Sequence, residues 1–312
     1  MVVNAISLGR IIPSIAVLAL AMLLALSSPG LCVEAITTVA GNQKVDKTTA
    51  NALKVLTVAG RTDITVAVGM SRPMVRDLIV ATSHGESGLD GPDLPEPAFA
   101  PDRRHAVDVI IEKVLQSPDK VTLIPVGPLT NIAMALIKEP RITGNIDRIV
   151  VMGGAIGQGN TTPAAEFNIY VDPEAAQVVF HAGIPVTMVG LDVTHKAIVT
   201  HEEFKKIRAM GRPPVATMIA DILNYFTRYY DDFYGFGGVP IHDACAVAEV
   251  ICPGIVTQKL MNVEVETTSE LTRGQTVCDL LGISGRPANV HVGVDIDVPA
   301  FKELLFRGLT SY

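Results

Sequence analysis

Apolar residues along this chain follow two periods in alternation. Short β-branched runs at Val33–Val39, Ile64–Val68, Val121–Val126, Ile149–Met152 and Val186–Val189 each give way to a loop holding glycine and polar residues, as a buried strand does where it enters a turn. Between them the apolar positions recur at helical spacing. Lys44–Ala59 gathers Ala52, Leu53, Val55 and Leu56 on one side and closes at Gly60, and Arg104–Gln116 does the same with Val107, Ile110, Ile111, Val114 and Leu115, the pattern of amphipathic helices. Further helices are expected from the Gly127-Pro128 turn to Ile137, from Pro173, over Val215–Tyr230, from Asp243 through Val250 and over Pro299–Leu309, with strands near Val263 and Val277 and over Val290–Ile296. Such alternation implies an α/β fold: a single domain with a mainly parallel sheet flanked by helices, its crevice at the carboxyl ends of the strands.

One stretch breaks the pattern. From Ile11 to Val33 there is no charged residue, and Arg10 is the only charge before it. Read alone, this is a signal peptide or short membrane anchor. The competing reading is a buried first strand and helix, and on it the chain is expected to be a cytoplasmic protein with no membrane role, with export or anchoring through residues 11–33 as the alternative.

Composition narrows the partners. The chain of 312 residues is 48% hydrophobic, enough for a substantial core, and nothing marks a linker. Its net charge of −7 argues against nucleic acid, whose binders carry a basic face. The four cysteines, Cys32, Cys245, Cys252 and Cys278, have neither paired nor zinc-like spacing and are expected as free buried thiols.

The polar chemistry is concentrated in the loop after Ile149–Met152. Asn160, Glu166, Asn168 and Asp172 lie there among Gly157, Gly159 and Pro163, and amides and carboxylates suit sugar hydroxyls, which both donate and accept hydrogen bonds. A surface loop leading to the helix at Pro173 is the plainer alternative. VMGGA (Val151–Ala155) followed by PAAEFNIYVDPEAA (Pro163–Ala176) resembles the central signature of the inosine-uridine-preferring nucleoside hydrolases, enzymes that cleave the N-glycosidic bond of ribonucleosides. ITTVAGN (Ile36–Asn42), HGESGLDG (His84–Gly91), GPLTNIA (Gly127–Ala133) and HDACAVA (His242–Ala248) resemble the same family in the expected order. The resemblance extends from Ala19 to the C-terminus, making residues 19–312 the hydrolase domain and 1–18 an atypical apolar segment.

That resemblance implies a ribonucleoside substrate, a Ca²⁺ cofactor and a homodimer or homotetramer. It implies Asp243 and the Val126 backbone carbonyl as calcium ligands, and Asn160, Glu166 and Asn168 as contacts to ribose. Asn42, His84 and Met152 would line the pocket. Tyr225 and Tyr229, one turn apart just ahead of the Gly-rich FYGFGG segment, suggest by their position a flap whose rings cover the base. His242 would protonate or hydrogen-bond the leaving base, a role suited to imidazole. The residues taken singly leave plainer alternatives: a turn for Asn42, a solvated loop for His84, core packing for Tyr225 and Tyr229, and a helix cap for Asp243. Asp192, Thr194 and His195 read as structural. The family's acidic turn, Asp-x-Asp-Pro-Gly-x-Asp-Asp, which supplies calcium ligands and the group that activates water, corresponds here to Ile11–Leu18, IIPSIAVL, and no Asp occurs before Asp46. Calcium takes about six to eight oxygens. Hydrolysis is therefore expected to be impaired in this chain, with a catalytically silent nucleoside-binding or subunit-interaction protein as the alternative.

Overall fold

A computed structural model of the chain describes residues 2–4, 18–80, 89, 91–234 and 237–312. The strands are β1 (Val2–Asn4), β2 (Ile36–Thr37), β3 (Val66–Ala67), β4 (Val121–Leu123), β5 (Ile146–Met152), β6 (Val186–Val189), β7 (Ile198–Thr200), β8 (Gly238–Pro240), β9 (Val256–Met261), β10 (Val263–Val265), β11 (Thr276–Cys278) and β12 (Val290–Ile296). The α-helices are α1 (Leu18–Ser27), α2 (Val45–Val58), α3 (Ala106–Gln116), α4 (Thr130–Lys138), α5 (Phe167–Val171), α6 (Pro173–Phe180), α7 (Leu191–Thr194), α8 (His201–Met210), α9 (Val215–Tyr234), α10 (His242–Ile251) and α11 (Val298–Leu309).

A six-stranded sheet in the order β1-β4-β5-β6-β12-β9 forms the centre. β4, β5, β6 and β12 run parallel, while β1 and β9 join antiparallel at the two edges. The mainly parallel sheet expected from the sequence is what forms. The second half of β5, Ile149–Met152, shows why its residues are apolar without interruption: Val150 and Met152 enter one core cluster, Ile149 and Val151 the other, while Asp147 and Arg148 lie in the half-buried first part. A strand covered on both faces has no position for a polar side chain. The first cluster is completed by α1, α2, α9, α10 and α11, the second by α3, α4 and α6.

The apolar N-terminal run resolves into α1, whose residues Ala19–Ala25 are all buried. It packs against α10 and α11, and the Tyr312 hydroxyl donates to the Leu23 carbonyl at 2.8 Å. A helix apolar all round is what such a sheathed position requires, and each buried leucine contributes about 1.5–3 kcal/mol. Among the described residues no helix is long and apolar enough to cross a membrane. All four cysteines are free, as expected, but only Cys245 is buried; Cys32 and Cys278 are half-buried and Cys252 is exposed.

Three differences from the sequence expectation have local causes. β2 and β3 are two residues each, shorter than the runs Val33–Val39 and Ile64–Val68, because their regular pairing covers only two residues, with a single bridge from Ala67 to Asp102 on the other side. β9 had no apolar signature: at the sheet edge Thr257, Lys259 and Leu260 face solvent, so its sequence VTQKLM lacks alternation. α8, β7 and β8 were likewise not anticipated, the two strands being three residues each.

Candidate active site

The loops leaving β4, β5 and β6 meet at the carboxyl ends of the parallel strands. Asn168 ties two of them together: its Nδ2 donates to the Met152 carbonyl at 3.1 Å and lies 3.4 Å from the Val126 carbonyl. Glu166, two residues earlier, is the N-cap of α5. Its carboxylate accepts from the backbone N–H groups of Asn168 (2.9 Å), Gly154 (3.0 Å) and Ile169 (3.2 Å). Only glycine tolerates this loop at Gly154, where φ is +78° and a Cβ would lie 2.7 Å from Met188 Sδ. The β6 loop locks onto it through Leu191 N–H donating to the Gly154 carbonyl at 3.0 Å and Ile156 N–H donating to Asp192 at 2.6 Å.

α10 aims its first turn at the same place. His242 and Asp243 are the first two residues of the helix and are 6% and 4% exposed. The helix caps on Ile241 without a side-chain bond, so the capping alternative for Asp243 does not hold. Burial pushes the Asp243 carboxyl well above its usual range, and the charge of Glu166 pushes it further. Burial likewise raises Glu166 to about 7, against its three N–H donors. Among the described residues no hydrogen bond reaches the Asp243 carboxylate. A helix N-terminus favours an anion there, yet an unpaired buried carboxylate remains costly. His242 Nδ1 lies 2.7 Å from the Thr194 hydroxyl, and the ring of His195 meets it edge-on with centroids 5.5 Å apart. Burial lowers the pKa of His195, and Asp192 draws it partly back.

The remaining candidates fall into different settings. Met152 is buried at the end of β5, and its sulfur sits 3.5 Å from Asn168 Nδ2. Asn42 is half-buried in a loop whose Gly41 packs so tightly on Pro128 that a Cβ would lie 2.7 Å from the ring, which places it beside the β4 loop. Asn160 is exposed, with its Oδ1 accepting from Phe167 N–H at 2.9 Å. Tyr225 is half-buried against the core, next to Gly91. His84, residues 11–17 and the side chain of Tyr229 lie outside the described residues. Two polar residues stood in quoted motifs without an assigned part. Asn131 donates to the Thr38 carbonyl at 2.8 Å and accepts from Met70 N–H, and Thr130 donates to the buried Asp172. Thr276 appeared in no motif, yet its hydroxyl bonds both N–H and C=O of Ala155; no local pattern marks a partner so distant in sequence.

Among the described residues no group of three His, Cys, Asp or Glu side chains is arranged to hold a metal ion. One buried carboxylate, Asp243, and the Val126 carbonyl fall well short of the roughly six to eight oxygens that calcium takes. Glu34, the first acidic residue of the chain, is bound to Lys113 at 2.9 Å. The described residues do not fit the ion.

Comparison with known proteins gives a consistent answer. Residues 18–303 match the family described as inosine-uridine preferring nucleoside hydrolase. The pyrimidine-specific ribonucleoside hydrolase RihA of Shewanella woodyi is 51% identical over 296 residues, covering 94% of this chain and 95% of that protein. RihA of Salmonella newport is 50% identical with the same coverage. Among solved structures, a purine-preferring ribonucleoside hydrolase from Gardnerella vaginalis superimposes with a TM-score of 0.91 at 32% identity, covering 97% of this chain and 98% of that one.

Proposed function

Since the chain belongs to the inosine-uridine-preferring nucleoside hydrolase family, glycosidases acting on N-glycosyl bonds, we propose that its cleft takes a ribonucleoside, pyrimidine nucleosides in preference, and that its hydrolysis is impaired as the N-terminus stands. The base preference follows the relatives at about half identity, which are named as pyrimidine-specific. The observation that carries the reading is Asp243: a carboxylate buried at the head of α10, facing a second carboxylate and bonded by no described donor. Such a group is kept where charge is needed for chemistry.

Cleavage of a ribosyl C–N bond leaves the sugar oxocarbenium-like while the base departs. Once ionised, the carboxylates of Asp243 and Glu166 favour positive charge on the ribose side. Asn168, fixed by the Met152 carbonyl, orients the sugar, and His242 hydrogen-bonds the departing base. The family generally depends on calcium, and no step here is routed through the ion. The same lack of ligands supports the second reading, a nucleoside-binding protein without turnover. A homodimer or homotetramer and a cytoplasmic location belong to the proposal as well.

The deciding experiment measures uridine and inosine hydrolysis, with and without calcium, by this chain and by a version with Ile11–Leu18 replaced by an Asp-x-Asp-Pro-Gly-x-Asp-Asp turn. Turnover confined to the replaced version is the expected result. Equal calcium-dependent turnover by both would refute the impairment, and uridine binding without turnover by either would establish the second reading.

A further inference from the structure

Thr194 is fully buried, and its hydroxyl lies 2.7 Å from Nδ1 of His242, 48 residues further along the chain. Its position is fixed from two directions. The backbone N–H of Thr194 donates to the Gly190 carbonyl at 3.1 Å, closing the single turn of α7, while Leu191 N–H anchors the start of that turn to Gly154 in the β5 loop. α7 thus joins the loop beside Glu166 to the imidazole at the head of α10. The T-shaped contact with His195 limits the tilt of the same ring.

We infer that Thr194 is a positioning residue for His242: its hydroxyl holds Nδ1, fixing one tautomer and one ring orientation, so that exchange with a departing base falls to Nε2. A hydroxyl is suited to this because it both donates and accepts. The hydrogen bond on one imidazole nitrogen decides which proton the other carries, and the corresponding partners of metal-bound histidines, worth about ten- to a hundredfold in activity, set the scale of effect expected here. A carboxylate in the same place would add a charge and draw the ring toward imidazolium, whereas a neutral hydroxyl holds it in one tautomer without that charge.

The kinetic part of this inference rests on the proposed hydrolase function; the structural part does not, and the experiment separates them. The full-length chain, labelled with ¹⁵N-histidine, is examined at pH 8 by its imidazole ¹⁵N resonances. With seven histidines in the sequence, those of His242 are assigned by their loss in His242→Gln. One tautomer is expected in the parent and in Thr194→Ser, and a changed Nδ1 resonance or a mixture of tautomers in Thr194→Val, which keeps the shape and removes the hydroxyl. Should the valine variant fail to fold, Thr194→Ala removes the same hydroxyl without adding an apolar branch. Uridine hydrolysis by the version with the acidic turn is expected to lose about ten- to a hundredfold in kcat in Thr194→Val, with KM within about twofold, and to return within about threefold of the parent in Thr194→Ser. Unchanged His242 resonances in Thr194→Val and Thr194→Ala overturn the inference whatever the rates. If no version hydrolyses a nucleoside, the proposed function fails, and the resonances still decide the role of Thr194.

Discussion

α10 carries two buried carboxylates, one near each end, and they are treated in opposite ways. Glu249, in the last turn, accepts from Gly254 and Val256 N–H at 3.2 and 3.0 Å and from Gln258 Nε2 at 2.7 Å. Asp243, in the first turn, is answered by no described donor and faces the like charge of Glu166. Burial raises both carboxyls above their usual range. Their exposure is nearly the same, at 2% and 4%, so burial does not distinguish them. Glu249 even sits at the helix end whose dipole opposes an anion, and it is there that the donors are supplied. A buried acid with its hydrogen bonds complete fastens a loop to a helix. One left without them at the mouth of a sheet suits the chemical role proposed for Asp243, at a cost to the fold.

The largest effect that tests this contrast is at Asp243. Asp243→Asn, which keeps the shape and removes the charge, is expected to lower uridine hydrolysis by the version with the acidic turn by about a hundred- to a thousandfold. The same variant in the chain as it stands is expected to be more stable than the parent by about 1–3 kcal/mol in urea at pH 8. The sign follows from linkage: a carboxyl raised in the folded state stabilises fully below its unfolded pKa and loses that contribution as pH rises through the folded one. Parent stability is thus expected to fall as pH rises from the range of an ordinary glutamate through about 7, where Glu166 titrates, and to fall less steeply in Asp243→Asn. A variant that is less stable at pH 8 breaks the contrast. Glu249→Ala carries the opposite expectation, a loss of about 2–4 kcal/mol from the donors left without an acceptor, with kcat unchanged.

The sequence showed one half of this contrast and concealed the other. Asp243 was visible because it follows His242 at a strand-to-helix junction in a motif resembling a known family. Glu249 lies in the same helix within HDACAVAEV, and nothing local announces that backbone N–H groups five and seven residues later will fold back onto it. The parallel strands were legible since burial on both faces leaves short, mostly β-branched runs, as at Ile149–Met152 in β5 and Val186–Val189 in β6. β9 was not, because an edge strand owes its form to pairing with β12, about thirty residues away. α1 was ambiguous for a different reason: a helix sheathed by α10 and α11 and one sheathed by lipid present the same apolar surface. Thr194 was noticed beside His195 and read as structural, since its tie to His242 crosses 48 residues that no spacing rule connects.

The smallest expected effect converts Glu249 part of the way toward the state of Asp243. Gln258 supplies one of its donors through Nε2, and its own Oε1 lies 3.4 Å from the Thr187 hydroxyl, a contact too long to contribute much. Gln258→Met fills similar volume without a donor and leaves Glu249 its two backbone partners. A cost of about 1–2 kcal/mol at pH 8 is expected, typical of one hydrogen bond to a charged group. Removing that donor raises the Glu249 carboxyl further from its ordinary value, so the deficit should shrink as pH falls and the group is protonated in both folded and unfolded chains. A deficit equal at pH 5 and pH 8 would mean that the methionine merely packs poorly. A deficit that grows with pH would show that the donors around Glu249, and not its burial, are what separates it from Asp243.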